Sequence, residues 1–267
     1  MGRELLKVLM KETEATLRVL DIDENGLNTL REQYGLKRIR PLLGDINNPS
    51  RVRLALDGCD TVFHLAALKH LWLGEYNPTA VLDTNVMGTR NLLDASLEEE
   101  VDRFITVSSD KAVNPSCFYG QTKAMGEALT LAYNNLKGDR PTKFSVYRPG
   151  NFFLSRGNVI ERWLKQREAG QPLTVTRGEF TRYFIGTYQA AKMLYKASTL
   201  MRGGEVFIPR MKEYKIRELA ELFSGHIQFI DPNPHEKTSE ELFTKEEGRR
   251  IRDLGDLLVI GDGRLDD

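Results

Sequence analysis

The sequence predicts an α/β protein in which helices cover both faces of a parallel sheet and a smaller lobe follows towards the C-terminus. Helical and strand patterns alternate with short gaps through residues 1–150, as successive β-α-β units do. The run Asp60–Ala66 (DTVFHLA) is almost continuously apolar, as expected of a strand that is buried on both faces. Beyond Asn151 the alternation loosens. We therefore expect residues 1–150 to form the sheet domain and residues 151–267 to form mainly a lobe interleaved with the sheet.

The elements of the first 150 residues are assigned from periodicity and from end signals. Leu5 and Leu9 share one face of an opening helix, and Pro49 favours a helix start because proline is tolerated in a first turn. The predicted helices are Gly2–Lys11, Glu24–Tyr34, one opened by Asn48-Pro49-Ser50, Asn77–Leu97 and Cys117–Leu136. The predicted strands are Ala15–Asp21, Ile39–Leu43, Asp60–Ala66, Phe104–Ser108 and Phe144–Arg148.

The bulk composition narrows the class of protein. Lys plus Arg and Asp plus Glu both number 38, so the net charge is zero and a large surface for nucleic acid or acidic membrane is not expected. No apolar run approaches the roughly 18 residues that a membrane helix needs, and the start does not resemble a signal peptide. Cys59 and Cys117 lie far apart without metal-ligand spacing, so neither a disulfide framework nor a metal site is expected. These features predict a cytoplasmic protein.

The beginning of the chain raises a question, because it starts at a helix. A doubly wound, Rossmann-like sheet is expected to open with a strand and a glycine-rich turn, which lets the backbone approach a dinucleotide pyrophosphate at the helix N-terminus. Gly2 has the place of the last glycine of such a turn. Two explanations stay open. Either a truncated or misplaced start leaves out the strand and the turn, or the protein lacks normal cofactor binding.

The helix predicted from Cys117 carries a tyrosine and a lysine four residues apart. Tyr119 and Lys123 share one helical face, and the preceding strand ends at Ser108-Ser109. An ammonium beside a phenol favours the phenolate, so we expect the pKa of Tyr119 to be lowered and the side chain to be a usable base. This spacing also occurs by chance, but the strand-loop-helix context favours a catalytic pair.

Longer runs around this pair carry a family resemblance. They are VFHLAALKH from Val62, EYNPTAVLDTNVMGTRNLLDAS from Glu75 and VSSDKAVNPSCFYGQTK from Val107. In these runs, and along nearly its whole length, the chain resembles the UDP-N-acetylglucosamine 4,6-dehydratases of surface-polysaccharide and flagellin-sugar biosynthesis, which are extended short-chain dehydrogenases. The resemblance implies a UDP-sugar substrate, a nicotinamide cofactor that is recycled in each turnover, and a homo-oligomer.

The resemblance gives the Asp110-Lys111 pair a role that a 4-epimerase does not need. A 4-epimerase moves one hydride off and onto C4, whereas a 4,6-dehydratase also removes the C5 proton and expels the C6 hydroxyl. The resemblance implies that Lys111 takes the C5 proton and that Asp110 protonates the leaving hydroxyl, which demands a lysine of lowered pKa and an aspartate of raised pKa. It also implies that Tyr119 accepts the 4-hydroxyl proton and that Ser109 hydrogen-bonds the C4 oxygen. An exposed salt pair is the alternative for Asp110 and Lys111.

Cofactor preference is predicted from the end of the strand Ala15–Asp21. An acidic residue there hydrogen-bonds the ribose hydroxyls and repels a 2′-phosphate. Asp21, followed by Ile22 instead of an arginine, therefore favours NAD over NADP. Capping of the next helix is an alternative role for Asp21. The resemblance implies further cofactor contacts at Gly2, Asp45, Ile46, Ala66, Ala67, Lys69, Asn85, Tyr119 and Lys123.

The predicted substrate contacts begin at Asn151. Guanidinium groups bind diphosphates in a bidentate way, so arginines are expected among these contacts. The resemblance implies contacts with the diphosphate from Asn151, Arg156 and Arg182, and with the uridine ribose from Glu236 and Lys237. Asn233 and His235 stand where the family has arginine and glycine, and Trp72 replaces a proline. These departures leave the exact sugar nucleotide open.

Two other functions stay open at this point. The first is a UDP-sugar 4-epimerase on the same fold, against which the Asp110-Lys111 pair argues. The second is a non-catalytic remnant that binds a sugar nucleotide, for which the unexpected start at a helix is the support. The sequence also leaves open whether C5 is inverted during the reaction.

Overall fold

The structure, a computed structural model, describes residues 1–153, 155 and 157–261. Helices of the sheet domain are α1 (Gly2–Glu12), α2 (Glu24–Tyr34), α3 (Pro49–Leu56), α4 (Leu71–Tyr76), α5 (Pro78–Leu82), α6 (Gly88–Glu98) and α7 (Phe118–Leu136). Its strands are β1 (Leu17–Asp21), β2 (Ile39–Leu43), β3 (Thr61–His64), β4 (Arg103–Val107) and β5 (Lys143–Tyr147).

Within the described residues, the chain after β5 forms short strands and four further α-helices. The strands are β6 (Asn151–Phe152), β7 (Leu173–Thr176), β8 (Thr181–Ile185), β9 (Val206–Pro209), β10 (Lys212–Lys215), β11 (Ile227–Ile230), β12 (Ile251–Asp253) and β13 (Leu257–Ile260). The helices are α8 (Val159–Glu168), α9 (Thr187–Leu200), α10 (Ile216–Glu221) and α11 (Lys245–Gly248).

The main sheet is parallel through β3, β4, β5 and β9, which confirms the predicted α/β class. In its register, Phe63 lies opposite Ile105, and Ile105 lies opposite Ser145. β13 and β12 extend the sheet in the antiparallel sense. β1 and β2 form a separate parallel pair, with Asp21 opposite Leu43 at their carboxyl ends. Because β9 and β13 follow residue 150, the C-terminal part of the chain contributes strands to the sheet as well as a lobe.

Helices cover both faces of the sheet because successive strand residues point to opposite sides. Phe104 of β4 lies in an apolar cluster with Leu92 of α6, whereas its neighbour Ile105 lies in a second cluster with Leu5 of α1 and Leu194 of α9. Both β4 residues have no exposed surface. The sheet is therefore doubly wound, with the carboxyl ends of its parallel strands at one edge.

A third apolar cluster forms the core of the C-terminal lobe. Trp163 of α8 is fully buried in this cluster together with Val175 of β7 and Phe184 of β8. Its indole Nε1 donates to Thr174 O at 2.8 Å, so its polar atom is satisfied inside the core. One small sheet has the order β10-β8-β6 and another joins β11 to β7. Since β6 follows β5 closely, the lobe begins next to the carboxyl edge of the main sheet.

Three local features differ from the predicted elements. The predicted helix Asn77–Leu97 consists of α5 and α6 joined by a π-helical turn over Asp83–Met87. The strand predicted to reach Ala66 ends at His64, which lies opposite Thr106 in the ladder. Helix α4, which was not predicted, follows a few residues later. The apolar run after His64 continues beyond the partner strand, so the pattern alone overestimates the strand.

Candidate active site

The carboxyl end of β4 brings Ser109, Asp110 and Lys111 together on one short turn. Asp110 N donates to Pro149 O at 2.9 Å, which keeps this segment alongside the chain that follows β5. A 3-10 turn then spans Asp110–Ala112, and the Ser109 hydroxyl caps it by accepting from Lys111 N at 3.3 Å. The same hydroxyl donates to Asp110 Oδ1 at 2.8 Å.

Helix α7 begins directly against this turn because Gly120 has no side chain. A Cβ atom at Gly120 would lie 2.3 Å from the backbone oxygen of Lys111, so any other residue would push the helix away. Glu75 of α4 holds the same helix end, since its Oε1 accepts from Phe118 N at 2.7 Å. This close approach places Tyr119 beside the serine and the lysine of the turn.

The pKa of Tyr119 is raised to about 12, opposite to the direction that the sequence predicted. Burial is the main cause, because it disfavours the phenolate. The positive charge of Lys111 and a hydrogen bond with Ser109 both act in the other direction. Lys123, the predicted source of this effect, instead donates its Nζ to Val107 O at 2.6 Å.

Lys123 of α7 is buried, with 6% of its surface exposed. Burial lowers the pKa of its ammonium to about 8, and the carboxylate of Glu127 partly offsets this effect. A lysine in this condition exchanges its proton near neutral pH. Lys123 is therefore the side chain of the Tyr-Lys pair that titrates within the usual working range of an enzyme.

Lys111 lies between two buried carboxylates. Its Nζ is 3.1 Å from Asp110 Oδ1 and 3.5 Å from Glu240 Oε1, and the two carboxylate side chains are 1% and 5% exposed. Burial by itself lowers the pKa of Lys111, but Asp110 and Glu240 together outweigh it and raise the pKa above its usual value. The prediction of a lowered pKa for Lys111 is therefore wrong.

Glu240 was missed in the sequence, because nothing in its local pattern separates it from its neighbour. Glu240 and Glu241 stand together in a polar segment, yet Glu240 is buried and Glu241 is exposed. The spacing of three residues from Lys237 hints at a pair, and Glu240 Oε2 does lie 3.8 Å from Lys237 Nζ. Glu240 is recognised as a site residue only from its burial, which depends on how the lobe packs.

One carboxylate oxygen beside Lys111 is able to accept a further hydrogen bond. Asp110 Oδ2 is buried and has no hydrogen-bond partner among residues 1–153, 155 and 157–261. A Cβ atom on Gly150 would come within 3.3 Å of this oxygen, so the glycine leaves space beside it. A buried carboxylate, an amine and a phenol in contact are able to exchange protons with a polyhydroxylated substrate.

Asp21 lies at the carboxyl end of β1 with its side chain exposed. Its Oδ1 accepts from Asp23 N at 3.0 Å, but the cap of α2 is Asp23, whose carboxylate accepts from Gly26 N at 2.9 Å. Capping is thus performed by Asp23, and the alternative role for Asp21 is not observed. Ile22 is 69% exposed and supplies no cation beside the carboxylate.

Three other predicted cofactor contacts, Asp45, Ile46 and Gly2, differ in exposure. Asp45 is exposed and its Oδ1 accepts from Asn47 N at 2.9 Å. Ile46 is 7% exposed and packs where a Cβ on Gly88 would come within 2.6 Å of its Cδ1. Gly2 opens α1, and a Cβ atom there would meet nothing within 4 Å. Cofactor contacts at these positions stay predictions.

The loop after β3 is held by the amide of Asn85, which lies in the π-helical turn. Asn85 Oδ1 accepts from Leu68 N at 2.8 Å and its Nδ2 donates to Leu68 O at 2.9 Å. The amide is therefore occupied in bracing the loop, and Asn85 is 3% exposed. Ala66 and Lys69 on this loop are exposed, and Ala67 is part-buried.

These residues fit a nicotinamide dinucleotide. The exposed carboxylate of Asp21 suits ribose hydroxyls, and Ala66 and Ala67 leave room at the end of β3. Lys123, 6% exposed and beside the end of β4, suits a polar contact inside the site. These four residues lie at or just after the carboxyl ends of parallel strands, or belong to α7.

Arg182 of β8 organises the predicted uridine loop. Its Nη2 donates to Glu236 Oε1 at 2.9 Å and to Lys237 O at 2.8 Å, while its Nη1 donates to Thr238 O at 3.1 Å. With the side chain 8% exposed, these contacts occupy much of the guanidinium. In this structure Arg182 anchors the loop, and its contact with a diphosphate stays a prediction.

The remaining predicted substrate residues lie at the border between lobe and sheet. Asn151 Nδ2 donates to Tyr183 O at 3.2 Å. Lys237 Nζ donates to Val113 O at 2.8 Å, so the loop that is predicted to bind uridine lies against the turn that carries Lys111. Arg156 lies outside the described residues. The structure thus brings the loop 236–240 and the catalytic turn together, although they are distant in sequence.

In the described part of the chain, no helix is both long enough and apolar enough to cross a membrane. Among the same residues, histidine, cysteine, aspartate and glutamate side chains form no group of three or more that could hold a metal ion.

Comparison with known proteins gives a family and several relatives. The profile of the family described as "Polysaccharide biosynthesis protein" matches residues 1–261. An uncharacterised membrane protein of Methanocaldococcus jannaschii is 40% identical, over 97% of this chain and 82% of its own length. An inverting UDP-N-acetylglucosamine 4,6-dehydratase of Campylobacter jejuni is 33% identical, over 85% and 68% respectively. A UDP-glucose 4-epimerase of Rickettsia canadensis is 31% identical, over 93% and 75%.

A solved structure gives the same result in three dimensions. The X-ray structure of Pen from Bacillus thuringiensis superimposes with a TM-score of 0.93 and 33% sequence identity. The match covers 97% of this chain and 85% of that chain. The fold similarity therefore includes both the sheet and the lobe.

Proposed function

This chain belongs to the polysaccharide biosynthesis protein family of extended short-chain dehydrogenases, and we propose that it is a UDP-N-acetylglucosamine 4,6-dehydratase. The observation that carries the proposal is the Asp110-Lys111 pair beside Tyr119, in which Asp110 is buried, Lys111 is part-buried and Lys111 Nζ lies 3.1 Å from Asp110 Oδ1. Elimination of water across C5 and C6 needs a base for the C5 proton and an acid for the 6-hydroxyl, in addition to the base that deprotonates the 4-hydroxyl. Epimerisation at C4 needs only the last of these three groups. The dehydratase among the relatives supports this assignment.

Each residue of the cluster has one task in the proposed reaction. Tyr119 takes the proton of the 4-hydroxyl, helped by the positive charge of Lys111, and Ser109 hydrogen-bonds the C4 oxygen. Asp110 takes one proton from the Lys111 ammonium along their hydrogen bond, which leaves a neutral amine and a neutral carboxylic acid. The amine then takes the C5 proton, and the acid protonates the departing 6-hydroxyl to give water. The Lys111 ammonium finally returns a proton to C5, which completes the 4-keto-6-deoxy product.

We propose NAD rather than NADP as the nicotinamide cofactor. Bound here, it would supply a hydride acceptor for C4 and a hydride donor for C6. Asp21 accepts hydrogen bonds from the ribose hydroxyls in this proposal, and its negative charge disfavours a 2′-phosphate. The exposed, uncharged Ile22 beside it offers no cation to reverse that preference.

A UDP-sugar 4-epimerase is the second candidate, and one observation favours it. The pKa of Lys111 is raised, because burial is outweighed by Asp110 and Glu240, and a protonated lysine is not a base. In that case Tyr119 and Lys123 would carry the whole reaction, and Asp110 and Lys111 would form a structural ion pair. One of the relatives is named a UDP-glucose 4-epimerase.

The experiment compares Lys111→Ala with Tyr119→Phe in the full-length gene product, supplied with NAD and UDP-N-acetylglucosamine in D₂O. The wild type should release water and place deuterium at C5 of a 4-keto-6-deoxy sugar. Lys111→Ala should slow elimination by about 10²–10⁴-fold while oxidation at C4 continues, since it loses a positioned proton-transfer group. Tyr119→Phe should abolish both steps, because no ketone forms to acidify the C5 proton.

Two results would contradict the dehydratase. One is 4-keto-6-deoxy product from Lys111→Ala at the wild-type rate, which would exclude Lys111 as the base. The other is interconversion of C4 epimers by the wild type without loss of water, which would establish the epimerase instead. Mass spectrometry of the sugar nucleotide distinguishes these outcomes, because the dehydrated product is lighter by one water.

A further inference from the structure

Glu240 is a buried carboxylate for which the proposed reaction has no task. It lies in the loop between β11 and α11, with its side chain 5% exposed. Its Oε1 is 3.5 Å from Lys111 Nζ and its Oε2 is 3.8 Å from Lys237 Nζ. Oε2 has no hydrogen-bond partner within the described ranges of the chain.

Burying the charged Glu240 carboxylate is unfavourable for folding unless the charge interacts with other groups. Removing an ion from water is unfavourable, and only close partners of opposite charge offset the lost hydration. Lys237 Nζ already donates to Val113 O at 2.8 Å and Lys111 Nζ to Asp110 Oδ1 at 3.1 Å, so each ammonium group has a hydrogen-bond partner other than Glu240. The next residue, Glu241, keeps its carboxylate exposed and outside this cluster. Burial of Glu240 thus directs one negative charge at Lys111.

We propose that Glu240 is a positioning residue that stabilises the protonated form of Lys111 and so decides the pH range over which Lys111 acts as a base. This inference rests on the proposed dehydratase function. Lys111 must lose a proton to Asp110 before it takes the C5 proton. Glu240 opposes the first transfer, but it strengthens the amine as a base for the second, since the resulting ammonium meets a carboxylate 3.5 Å away.

The charges around Lys111 come from four parts of the chain. Asp110 is on its own turn, Tyr119 and Cys117 belong to α7 and its cap, and Arg182 is on β8. Glu240 and, behind it, Lys237 come from the lobe loop. Asp110 and Glu240 raise the pKa of Lys111, whereas Arg182 lowers it. Removing the Glu240 charge should therefore lower the pKa of Lys111.

The first experiment measures the protonation of Lys111 without any turnover. Competitive acetylation with acetic anhydride at a series of pH values, read by peptide mass spectrometry, reports the fraction of free amine. Glu240→Gln should shift the titration of Lys111 to lower pH by about one unit or more. Glu241→Gln removes the same charge from the adjacent residue and should leave the titration in place. An unchanged titration in Glu240→Gln would overturn the proposal.

A second variant moves the same titration in the opposite direction. Lys237→Met removes the second cation that faces Glu240, so the carboxylate acts more strongly on Lys111 and the titration should shift to higher pH. Thermal unfolding of each variant shows whether the fold is kept. Shifts of equal sign in Glu240→Gln and Lys237→Met would contradict the proposal, because a general loosening of the site, and not charge, would then be responsible.

The second experiment follows the elimination step. In Glu240→Gln the rise of C5 deuterium incorporation with pH should shift downwards by the same amount as the acetylation profile. Turnover with an unshifted profile in both assays would reject the role of Glu240 and keep the dehydratase. A shifted acetylation profile in a protein that dehydrates no UDP-sugar would support the Glu240-Lys111 coupling and reject the dehydratase.

Discussion

The two lysines of the candidate site meet different neighbours, and the pKa of each follows from them. Burial lowers the pKa of Lys123 to about 8, since only Glu127 opposes it. For Lys111, burial is outweighed by Asp110 and Glu240, and the pKa is raised. Groups whose pKa values are pushed apart within one site are suited to separate steps of a reaction. The different pKa shifts of the two lysines thus follow from a few direct contacts of each side chain.

The first prediction concerns the residues that select the cofactor. Asp21→Ser with Ile22→Arg exchanges an exposed carboxylate and an exposed isoleucine for a hydroxyl and a guanidinium. We expect the preference to move towards NADP by at least on the order of tenfold, because a charge-assisted hydrogen bond to the 2′-phosphate contributes about 1.5–3 kcal/mol. The ratio of kcat/KM for NAD and NADP in the full-length gene product measures the change.

Glu24→Ser is the matched control for this exchange. Glu24 is also exposed, and its replacement removes one negative charge near the same strand end. Glu24 lies in the first turn of α2, however, and not at the end of β1. Its cofactor preference should stay that of the wild type. Equal use of NAD and NADP by the unmutated protein would contradict the ribose role of Asp21.

At the scale of elements, two helices determine where the catalytic groups lie. The π-helical turn Asp83–Met87 directs Asn85 to the loop after β3, and helix α7 carries the Tyr-Lys pair. They meet where a Cβ on Gly126 would lie 3.6 Å from Asn85 O. π-helical turns are often found at functional sites, because the extra residue changes the direction of a side chain. The position of α7 therefore affects both the loop and the turn with Lys111.

A substitution at Gly120 tests this helix placement. Gly120→Ala would place a Cβ atom 2.3 Å from Lys111 O, which is backbone and has little freedom to move. The helix start should shift, with a loss of about 1–3 kcal/mol of stability and of most activity, as overpacking of this kind produces. Urea unfolding and turnover of the sugar nucleotide measure the two effects.

Gly126→Ala provides the comparison within the same helix. Its Cβ atom would make an ordinary contact with Asn85 O, and alanine is favoured over glycine in a helix interior by up to about 1 kcal/mol. We expect unchanged or slightly increased stability. If both alanine variants behave alike, the close approach at Gly120 is not what positions α7.

Over the whole molecule, one buried arginine joins three parts of the chain. Arg148 follows β5, and its guanidinium contacts Glu127 of α7 at 2.6 Å and Glu247 of α11 at 2.8 Å. It also donates to Leu242 O at 3.1 Å. The contact ties the C-terminal segment, which includes the loop with Glu240, to the helix that carries Tyr119.

The third prediction is a pH dependence of stability that depends on Glu247. Burial by itself raises the pKa of Glu247, but its hydrogen bonds with Arg148 and Thr244 outweigh this and lower it from an ordinary value of 4.5. The stability that this carboxylate contributes is therefore present above that value and is lost as the pH falls through the lowered pKa. At neutral pH, Glu247→Gln should cost about 1–3 kcal/mol.

Thermal unfolding of wild type and Glu247→Gln over a pH series measures this difference. The gap in Tm should be largest at neutral pH and should shrink below the ordinary pKa of 4.5. Glu246→Gln, an exposed neighbour on α11, should show no such gap. A gap that stays constant down to acid pH would mean that the charge of Glu247 is unimportant.

Local pattern was enough to predict much of the sheet domain. Helix α2 and strand β2 have the predicted bounds, because caps, glycine ends and periodicity are all written in adjacent residues. The Ser109-Asp110-Lys111 turn and Tyr119 also lie together as predicted, since strand ends and helix starts meet at one edge of a parallel sheet. The π-helical turn and α4 were not predictable in this way, because they depend on packing against the loop and α7.

By itself, the sequence determined the α/β class, most of the element order within residues 1–150 and the family, because each depends on residues that are close along the chain. Tertiary structure alone decided the charge environment of the site. Glu240 meets Lys111 across 129 positions of sequence, and Arg182 is turned towards the lobe loop. A pKa depends on burial and on distances between charges. Burial and these distances are defined only once the lobe has packed on the sheet. The directions in which the pKa values of Lys111 and Tyr119 shift could therefore not be predicted from the sequence.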